Sequence, residues 1–384
     1  MAHVLVAGVS TRAAAESAAR AGFAVTAIDA FGDVDQHPSV RWLSLADNFS
    51  TRAAAVAAQT VDCDAVVYLS SFENHPRAIA TLAQGRALWG NAPEIVRRVR
   101  HPLIVADALR KRGFHVPRVR LKADTTYVSD SYGVSGVSRT VDRWLVKPLR
   151  SGGGQHIRLW DRATSLPRGT YLQEFIDGPS GSVVFVAAGG RALPIGISKQ
   201  LVGEAAFGAA GFQYCGNILA ADSALIEAAG VLAQAVVEEF GLVGVNGIDF
   251  IASDGVLYAI EVNPRWCASM ELVERAYGLS VFAAHASACT SGLLPAFDLQ
   301  QKPLGRGPVG KAVVYARRDV IVGDTRTWLT KHENIRDIPQ PGMRISSGRP
   351  VCTILADAPD GPTCHDALVE SARRVYAQLE AWCA

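Results

Sequence analysis

Two short stretches of the sequence bring together residue types that suit phosphate and metal chemistry. The first is Trp144-Leu145-Val146-Lys147-Pro148-Leu149-Arg150-Ser151-Gly152-Gly153-Gly154, where an apolar run delivers a lysine and three consecutive glycines follow. Without Cβ atoms, glycines let main-chain N–H groups approach phosphate oxygens closely, and a lysine ammonium neutralises their charge. Taken alone, an ordinary hairpin turn reads equally well, and no Walker-type glycine–lysine loop occurs in the chain. The second stretch is Asn246-Gly247-Ile248-Asp249-Phe250, followed by Tyr258-Ala259-Ile260-Glu261-Val262-Asn263-Pro264-Arg265. If these runs pair as antiparallel strands about Ser253-Asp254-Gly255, Asp249 and Glu261 face each other and Asn263 shares their face. Hard oxygen donors of this kind suit Mg²⁺, with Mn²⁺ as an alternative, in a coordination shared with water and nucleotide phosphates. Arg265 lies on the same strand face, where it suits a γ-phosphoryl group in transfer. A solvated strand face is the competing reading, but both acids are embedded in apolar runs where an unpaired charge is costly.

Such residues need strands to hold them, and the sequence supplies these in a recognisable order. His3–Gly8 reads as strand, Arg12–Gly22 as helix and Ala24–Asp29 as strand; Ala53–Gln59, Ala65–Ser70 and Pro76–Gln84 continue as helix, strand and helix. The first hundred residues therefore predict a small doubly wound unit with a parallel sheet. Helices over Pro93–Arg98 and Leu103–Gly113 lead to a junction at Val116-Pro117. Beyond it, strands at Trp144–Pro148, Tyr171–Ile176, Val183–Ala187, Gly247–Ile251 and Leu257–Val262, with a helix Leu225–Phe240, predict an α+β unit ending near Leu294. Lys311–Ala316, Val351–Leu355 and a closing helix Thr363–Leu379 suffice for a small appended subdomain.

In order and spacing these motifs resemble the ATP-grasp enzymes, and the similarity covers most of the chain. The resemblance implies a Rossmann-like domain over residues 1–100, an ATP-grasp domain over 101–302 with a flap subdomain at about 125–180, and a C-terminal subdomain over 303–384. It also implies that Lys147 contacts the α- and β-phosphates of ATP and that Ser151, Gly152, Gly153 and Gly154 form the mobile flap. Asp249, Glu261 and Asn263 then hold magnesium, with Arg265 at the γ-phosphate. Gln173-Glu174-Phe175-Ile176 resembles the hinge strand lining the adenine pocket, with main-chain groups of Glu174 and Ile176 reading the base edge. Lys199 looks like the second lysine beside the reacting phosphoryl group, so two of the chain's seven lysines fall at motif positions. Three departures stand out. Asp177-Gly178-Pro179-Ser180-Gly181 leaves the ribose contact unassigned; His101-Pro102 replaces the usual aspartate–lysine pair, with Arg98 or Arg100 as substitutes; and His156 stands where a small residue is usual. The implied activity is ligation of a carboxylate to an amine through an acyl phosphate, with release of ADP and phosphate, on amino-acid substrates. The Ser10-Thr11-Arg12 loop, Phe72-Glu73-Asn74-His75-Pro76, Leu88-Trp89-Gly90-Asn91, Glu261–Arg265 and Ser347–Cys352 together are similar to ligases of methanofuran and methylofuran assembly, which join glutamate to tyrosine or tyramine.

Substrate contacts are expected from loops around the same cleft. Arg12 is a candidate for a substrate carboxylate and Glu73 or Glu271 for an ammonium, with Asn74 and Ser269 beside them; each reads equally well as a loop or cap residue. Across 384 residues, 38 basic side chains balance 36 acidic ones, giving a net charge of +2. That balance gives no electrostatic case for nucleic acid or an anionic membrane as partner. No window approaches the roughly 18–20 apolar residues of a membrane span, and the start reads as a strand rather than a secretory leader. Seven scattered cysteines without a CxxC pair fit reduced thiols in a cytoplasmic protein. Oligomeric state is left open, a homodimer included. A dinucleotide fingerprint is missing after the first strand, which disfavours a nicotinamide enzyme. Biotin-carboxylase-like carboxylation through carboxyphosphate and non-catalytic nucleotide binding are the remaining alternatives.

Overall fold

The computed structural model describes the chain apart from residues 122–142, 163–164, 220–222, 302, 306, 332–333 and 384, so much of the expected flap subdomain lies outside the described residues. The first unit runs β1 (His3–Ala7), α1 (Arg12–Arg20), β2 (Ala24–Asp29), β3 (Val40–Ser44), α2 (Thr51–Ala57), β4 (Ala65–Tyr68), α3 (Pro76–Leu82) and β5 (Ala87–Leu88). Its strands pair in the order β3-β2-β1-β4-β5, every pair parallel, as expected. Val4, Leu5 and Val6 are fully buried because helices cover both faces of such a sheet, which is why β1 is apolar without alternation. The loops after β1 and β4 both leave from the carboxyl edge. There Asp29 acts as a turn anchor, accepting from Thr11 Oγ1 (2.6 Å), the N–H groups of Phe31 (3.2 Å) and Gly32 (3.1 Å), and Trp42 Nε1 (3.1 Å).

Helices α4 (Pro93–Val99) and α5 (Pro102–Lys111) each begin with a proline at the first turn, where the missing N–H has no partner to lose. They lead to a four-stranded antiparallel sheet of β6 (Val119–Arg120), β7 (Trp144–Pro148), β8 (Arg158–Leu159) and β9 (Thr170–Glu174), in the order β6-β9-β7-β8. The large sheet then takes β10 (Ser180–Ala188), β11 (Arg191–Val202) and β12 (Tyr214–Leu219), α6 (Ser223–Phe240), and β13 (Gly244–Ser253) with β14 (Val256–Asn263). After α7 (Met270–Tyr277) and α8 (Val281–Ser291) come β15 (Val309–Tyr315), β16 (Val320–Ile321), α9 (Arg326–Lys331), β17 (Ile335–Arg336), β18 (Arg344–Ile345), β19 (Pro350–Asp357) and α10 (Gly361–Cys383).

The eight-stranded sheet has the order β14-β13-β10-β11-β12-β15-β19-β17, so β15, β19 and β17 extend the sheet of the central unit, while β16 and β18 form a two-stranded sheet of their own. β10 is buried along most of its length because α6 and α5 pack one face while α7, α8 and the first unit pack the other. That double cover explains a strand as apolar as Val183–Ala188 in an antiparallel setting. Sequence reading missed β11 and β12, where Pro194, Gly196 and Gly216 break the alternating pattern. It also ran β9 on to Ile176, two residues past the observed end at Glu174.

Candidate active site

Lys147 sits on β7 with its Nζ donating to Gln173 Oε1 on the neighbouring strand (3.0 Å) and lying 6.0 Å from the centre of the Tyr171 ring. Gln173 in turn donates to the carbonyl of Ile260 on β14 (3.4 Å), which ties the small sheet to the large one. Between the two sheets runs a cleft. Its lining combines Val105, Val116, Val119, Ile157 and Tyr171 with Lys147, Arg100, Ser151 and Glu261. A cleft whose lining combines apolar side chains with cations and a carboxylate suits a ligand that is part apolar and part anionic.

The carboxylates arise from strand register. Asp249 on β13 pairs directly with Glu261 on β14, and Gly247 with Asn263, so both acids and the amide share one sheet face, as the spacing predicts. Asp249 accepts from Asn263 Nδ2 (2.9 Å) and from Gln200 Nε2 on β11 (2.8 Å). Glu261 is paired with Arg100. Burial, and then the neighbouring Glu261, push the Asp249 carboxyl up to about 6. Burial also works against ionised Glu261, but Arg100 and Lys147 outweigh it and hold that carboxyl below its usual range. Two half-buried carboxylates in register are a pair that a divalent cation relieves. Among the described residues no three His, Cys, Asp or Glu side chains converge. An ion at this place would therefore take the two acids and the Asn263 oxygen, and complete its shell from water and phosphate, as Mg²⁺ prefers.

Arg265 is drawn in from the end of β14. Its Nε donates to Glu73 Oε1 (2.7 Å), its Nη1 to the carbonyl of Trp266 (2.9 Å) and its Nη2 to Asn263 Oδ1 (3.3 Å). Glu73, on the loop after β4, is only 1% exposed, and its second oxygen has no hydrogen-bond partner. Cys267 lies two residues beyond Arg265; burial pushes its thiol up to about 12, so it stays neutral. The glycine segment borders the cleft. The Ser151 carbonyl accepts from Asn74 Nδ2 (3.2 Å) and Arg100 Nη2 (3.2 Å), and the Gly153 carbonyl from the Tyr214 N–H (3.0 Å). Gly152 and Gly154 line the cleft itself.

Several expected residues are arranged differently. Lys199 is exposed and lies on the opposite sheet face from Asp249, because its neighbours Ser198 and Gln200 take that face by strand alternation. Glu174 spends its main-chain N–H on the Arg118 carbonyl (2.9 Å), since β9 is flanked by β6 and β7, and its carboxylate on the Arg118 main-chain N–H (3.0 Å) and Nη2 (2.8 Å). Phe175 lies past the strand with Arg143 stacked 4.1 Å from its ring centre, and neither it nor Ile176 lines the cleft; of the four expected hinge residues only Gln173 does. Arg12 does not face open space. It is 0% exposed and donates to Asp337 Oδ1 (2.8 Å), Glu16 Oε2 (3.1 Å) and Glu271 Oε1 (2.6 Å), while the other oxygen of Glu271 takes Lys311 Nζ (2.5 Å). Arg12 and Glu271 are thus partners of one another instead of free substrate contacts. Ser269 is buried at the start of α7, where its carbonyl takes the N–H groups of Leu272 (3.1 Å) and Val273 (3.2 Å).

This geometry coincides with a family match, since residues 103–269, from α5 through Asp249, Glu261 and Arg265, fit the profile of the ATP-grasp domain. The chain contains an ATP-grasp domain. Similar folds extend beyond that region to nearly the whole chain. An L-amino acid ligase from Bacillus licheniformis superposes with a TM-score of 0.67 over 96% of each chain at 16% identity. A carboxyaminoimidazole ribonucleotide synthase from Aspergillus clavatus, complexed with ATP, gives a TM-score of 0.68 over 98% of this chain and 99% of that one at 17% identity. In sequence, an uncharacterized protein of Methanocaldococcus jannaschii is 22% identical over 377 residues, 92% of this chain and 87% of its own. Within the ATP-grasp domain, Gln200 was missed as a partner of Asp249; once Lys199 is assigned outward, alternation alone points Gln200 inward. Lys311 and Asp337 were missed because both lie far from the motif segments in sequence and meet Arg12 and Glu271 only in the folded chain.

Proposed function

We propose that the protein is an ATP-dependent carboxylate–amine ligase that works through an acyl phosphate. The observation that carries this is how these groups gather about one cleft: Lys147, Gly152, Gly154 and Glu261 line it, Asp249 and Asn263 stand in strand register beside Glu261, and Arg265 donates to Asn263. In this reading ATP has its base against the apolar part of the lining, its α- and β-phosphates at Lys147 and its γ-phosphoryl group between the carboxylates and Arg265. When bound there, Mg²⁺ supplies positive charge to the phosphate oxygens in the transfer. A substrate carboxylate oxygen attacks the γ-phosphorus, the bond to the β-phosphate oxygen breaks and ADP leaves. The amine then attacks the acyl carbon and loses a proton, and phosphate departs with the C–O electrons. Arg265 stabilises charge on the transferring group, and the glycine segment, reclosed over bound nucleotide, keeps water from the acyl phosphate. The unpartnered oxygen of Glu73, beside Arg265, suits an ammonium of the amine substrate before it attacks. Amino acids are the substrate class this favours, and glutamate with tyrosine or tyramine is the first pair to try.

Interception tests this reading. With ATP, Mg²⁺ and the correct acid, hydroxylamine should give a hydroxamate together with ADP and phosphate. Adenylate-forming ligases also give hydroxamates but release AMP, so AMP among the products sinks the mechanism. Bicarbonate-dependent ADP release without an amine would instead assign the carboxyphosphate chemistry.

A further inference from the structure

Arg100 lies at the carboxyl end of α4, just before α5 begins, and its guanidinium touches three separate segments. Nη1 meets the Glu261 carboxylate and the Val262 carbonyl (3.1 Å); Nη2 meets Asn74 Oδ1 (3.1 Å) and the Ser151 carbonyl (3.2 Å). Its Nε is buried without a partner, so the charge is held by the two ends of the fork alone. The Ser151 carbonyl also accepts from Asn74 (3.2 Å). The glycine segment is therefore pinned on one flank by Arg100 and Asn74, and on the other by the Tyr214 N–H. The anchor that fixes the guanidinium in this pose is Glu261, one of the two carboxylates facing each other in register.

We propose that Arg100 is a latch that holds the glycine segment down and competes with a divalent cation for Glu261. This rests on the reading of the cleft as a metal–nucleotide site. A guanidinium and a divalent ion cannot share one carboxylate closely, because like charges at short range repel. Metal on Glu261 removes the strongest hold on Arg100, and the freed fork loses its grip on Ser151 while gaining the freedom to meet phosphate, for which its planar donors are suited. Arg100 in this view is a positioning residue whose two partners, a metal-site carboxylate and the loop, make cation loading and loop release one event.

Two readouts on the full chain without nucleotide test this. Arg150 is exposed next to Ser151, so the rate of tryptic cleavage after Arg150, followed by mass spectrometry, reports opening of the segment. Mn²⁺ binding, followed by electron paramagnetic resonance, reports competition at Glu261. In the wild type, Mn²⁺ should speed cleavage after Arg150 several-fold. Arg100→Gln should cleave fast with or without metal and bind Mn²⁺ several-fold more tightly, its competitor gone. Arg100→Lys keeps the charge but cannot span both partners, so cleavage should remain fast while Mn²⁺ affinity returns toward the wild type. Equal or weaker Mn²⁺ binding by Arg100→Gln, or cleavage unchanged from the wild type, overturns the latch. Should Arg100→Gln lose its native circular dichroism, Asn74→Ala serves instead: faster cleavage at unchanged Mn²⁺ affinity is expected, and unchanged cleavage is again fatal. A wild type that binds neither Mn²⁺ nor ATP in calorimetry fails the reading of the cleft itself, and the latch falls with it; a wild type that binds both, with variants that behave identically, fails the latch alone.

Discussion

Lys147 illustrates how a single side chain can be assigned from its surroundings. It is buried, and among the described residues its hydrogen bond goes to the neutral Gln173 oxygen, while Glu261 and Asp249 meet its charge without an ion-pair contact. A buried ammonium left to an amide and the edge of an open cleft waits for an anion. Replacing it should cost a charge-assisted contact, about 1.5–3 kcal/mol, which is roughly a ten- to hundredfold loss in ATP affinity. Calorimetry on Lys147→Ala, with circular dichroism to verify the fold, measures this directly; undiminished affinity would make Lys147 a structural residue. At this scale the sequence was most legible where two residues lie on one strand pair. Asp249, Glu261 and Asn263 could be placed together because alternation and a short hairpin leave little freedom. It was least legible for charges whose partners come from remote segments. Arg12 reads as a free cation in its own loop, and only the folded chain reveals Asp337 and Glu271 around it. Lys199 failed for a third reason: its parity depends on a register with β10 and β12 that no local pattern fixes.

The glycine segment shows what an element contributes beyond its side chains. Gly153 and Gly154 both have positive φ, +64° and +72°, a conformation that costs other residues about 1–2 kcal/mol. They differ in their surroundings. A Cβ on Gly153 meets nothing within 4 Å, whereas one on Gly154 would lie 1.8 Å from the Phe212 carbonyl oxygen on the loop between β11 and β12. Gly153→Ala should therefore lose only what the strained φ costs, roughly a five- to thirtyfold effect on ATP turnover. Gly154→Ala adds a main-chain clash that the segment can relieve only by lifting from the cleft, so its ADP formation should fall much further at an unchanged melting temperature. Equal activities for the two variants would mean that seating against Phe212 does not matter. Three glycines in a row announced a special backbone from sequence alone. Which of them approaches another chain segment was not legible, because Phe212 belongs to a connection that the sequence reading left without strands on either side. The long apolar elements, by contrast, were found to within a few residues: β7 at Trp144–Pro148 as expected, and β13 and β14 longer by one to three residues at their ends.

At the scale of the whole molecule, the question is what holds the first unit against the rest. Residue Arg12 opens α1 in the first unit, Glu271 opens α7 in the central one, and Asp337 follows β17 near the end of the chain. One fully buried guanidinium joins all three, and Asp35 lies 3.6 Å from the same Nε. Glu271 is held well below the usual carboxylate range: burial opposes its charge, but Arg12 and Lys311 overcome that. Removal of the fully buried Arg12 would leave Asp337 and Asp35 without their shared cation and Glu271 with Lys311 alone, and breaking a buried pair in this way costs about 3–5 kcal/mol. Arg12→Met should thus lower stability toward urea by that amount, with the first unit loosening before the rest if the transition ceases to be two-state. Pairing it with Asp337→Asn should recover part of the loss, since the two groups interact directly and their effects cannot add. The alternative, in which Arg12 holds a substrate carboxylate, makes the opposite forecast: stability near wild type, a raised KM for the acid, and no recovery in the double variant. Urea titrations of the single and double variants beside their ADP kinetics separate the two, and the complete set of carboxylate partners around Arg12 is the reason to expect the structural outcome.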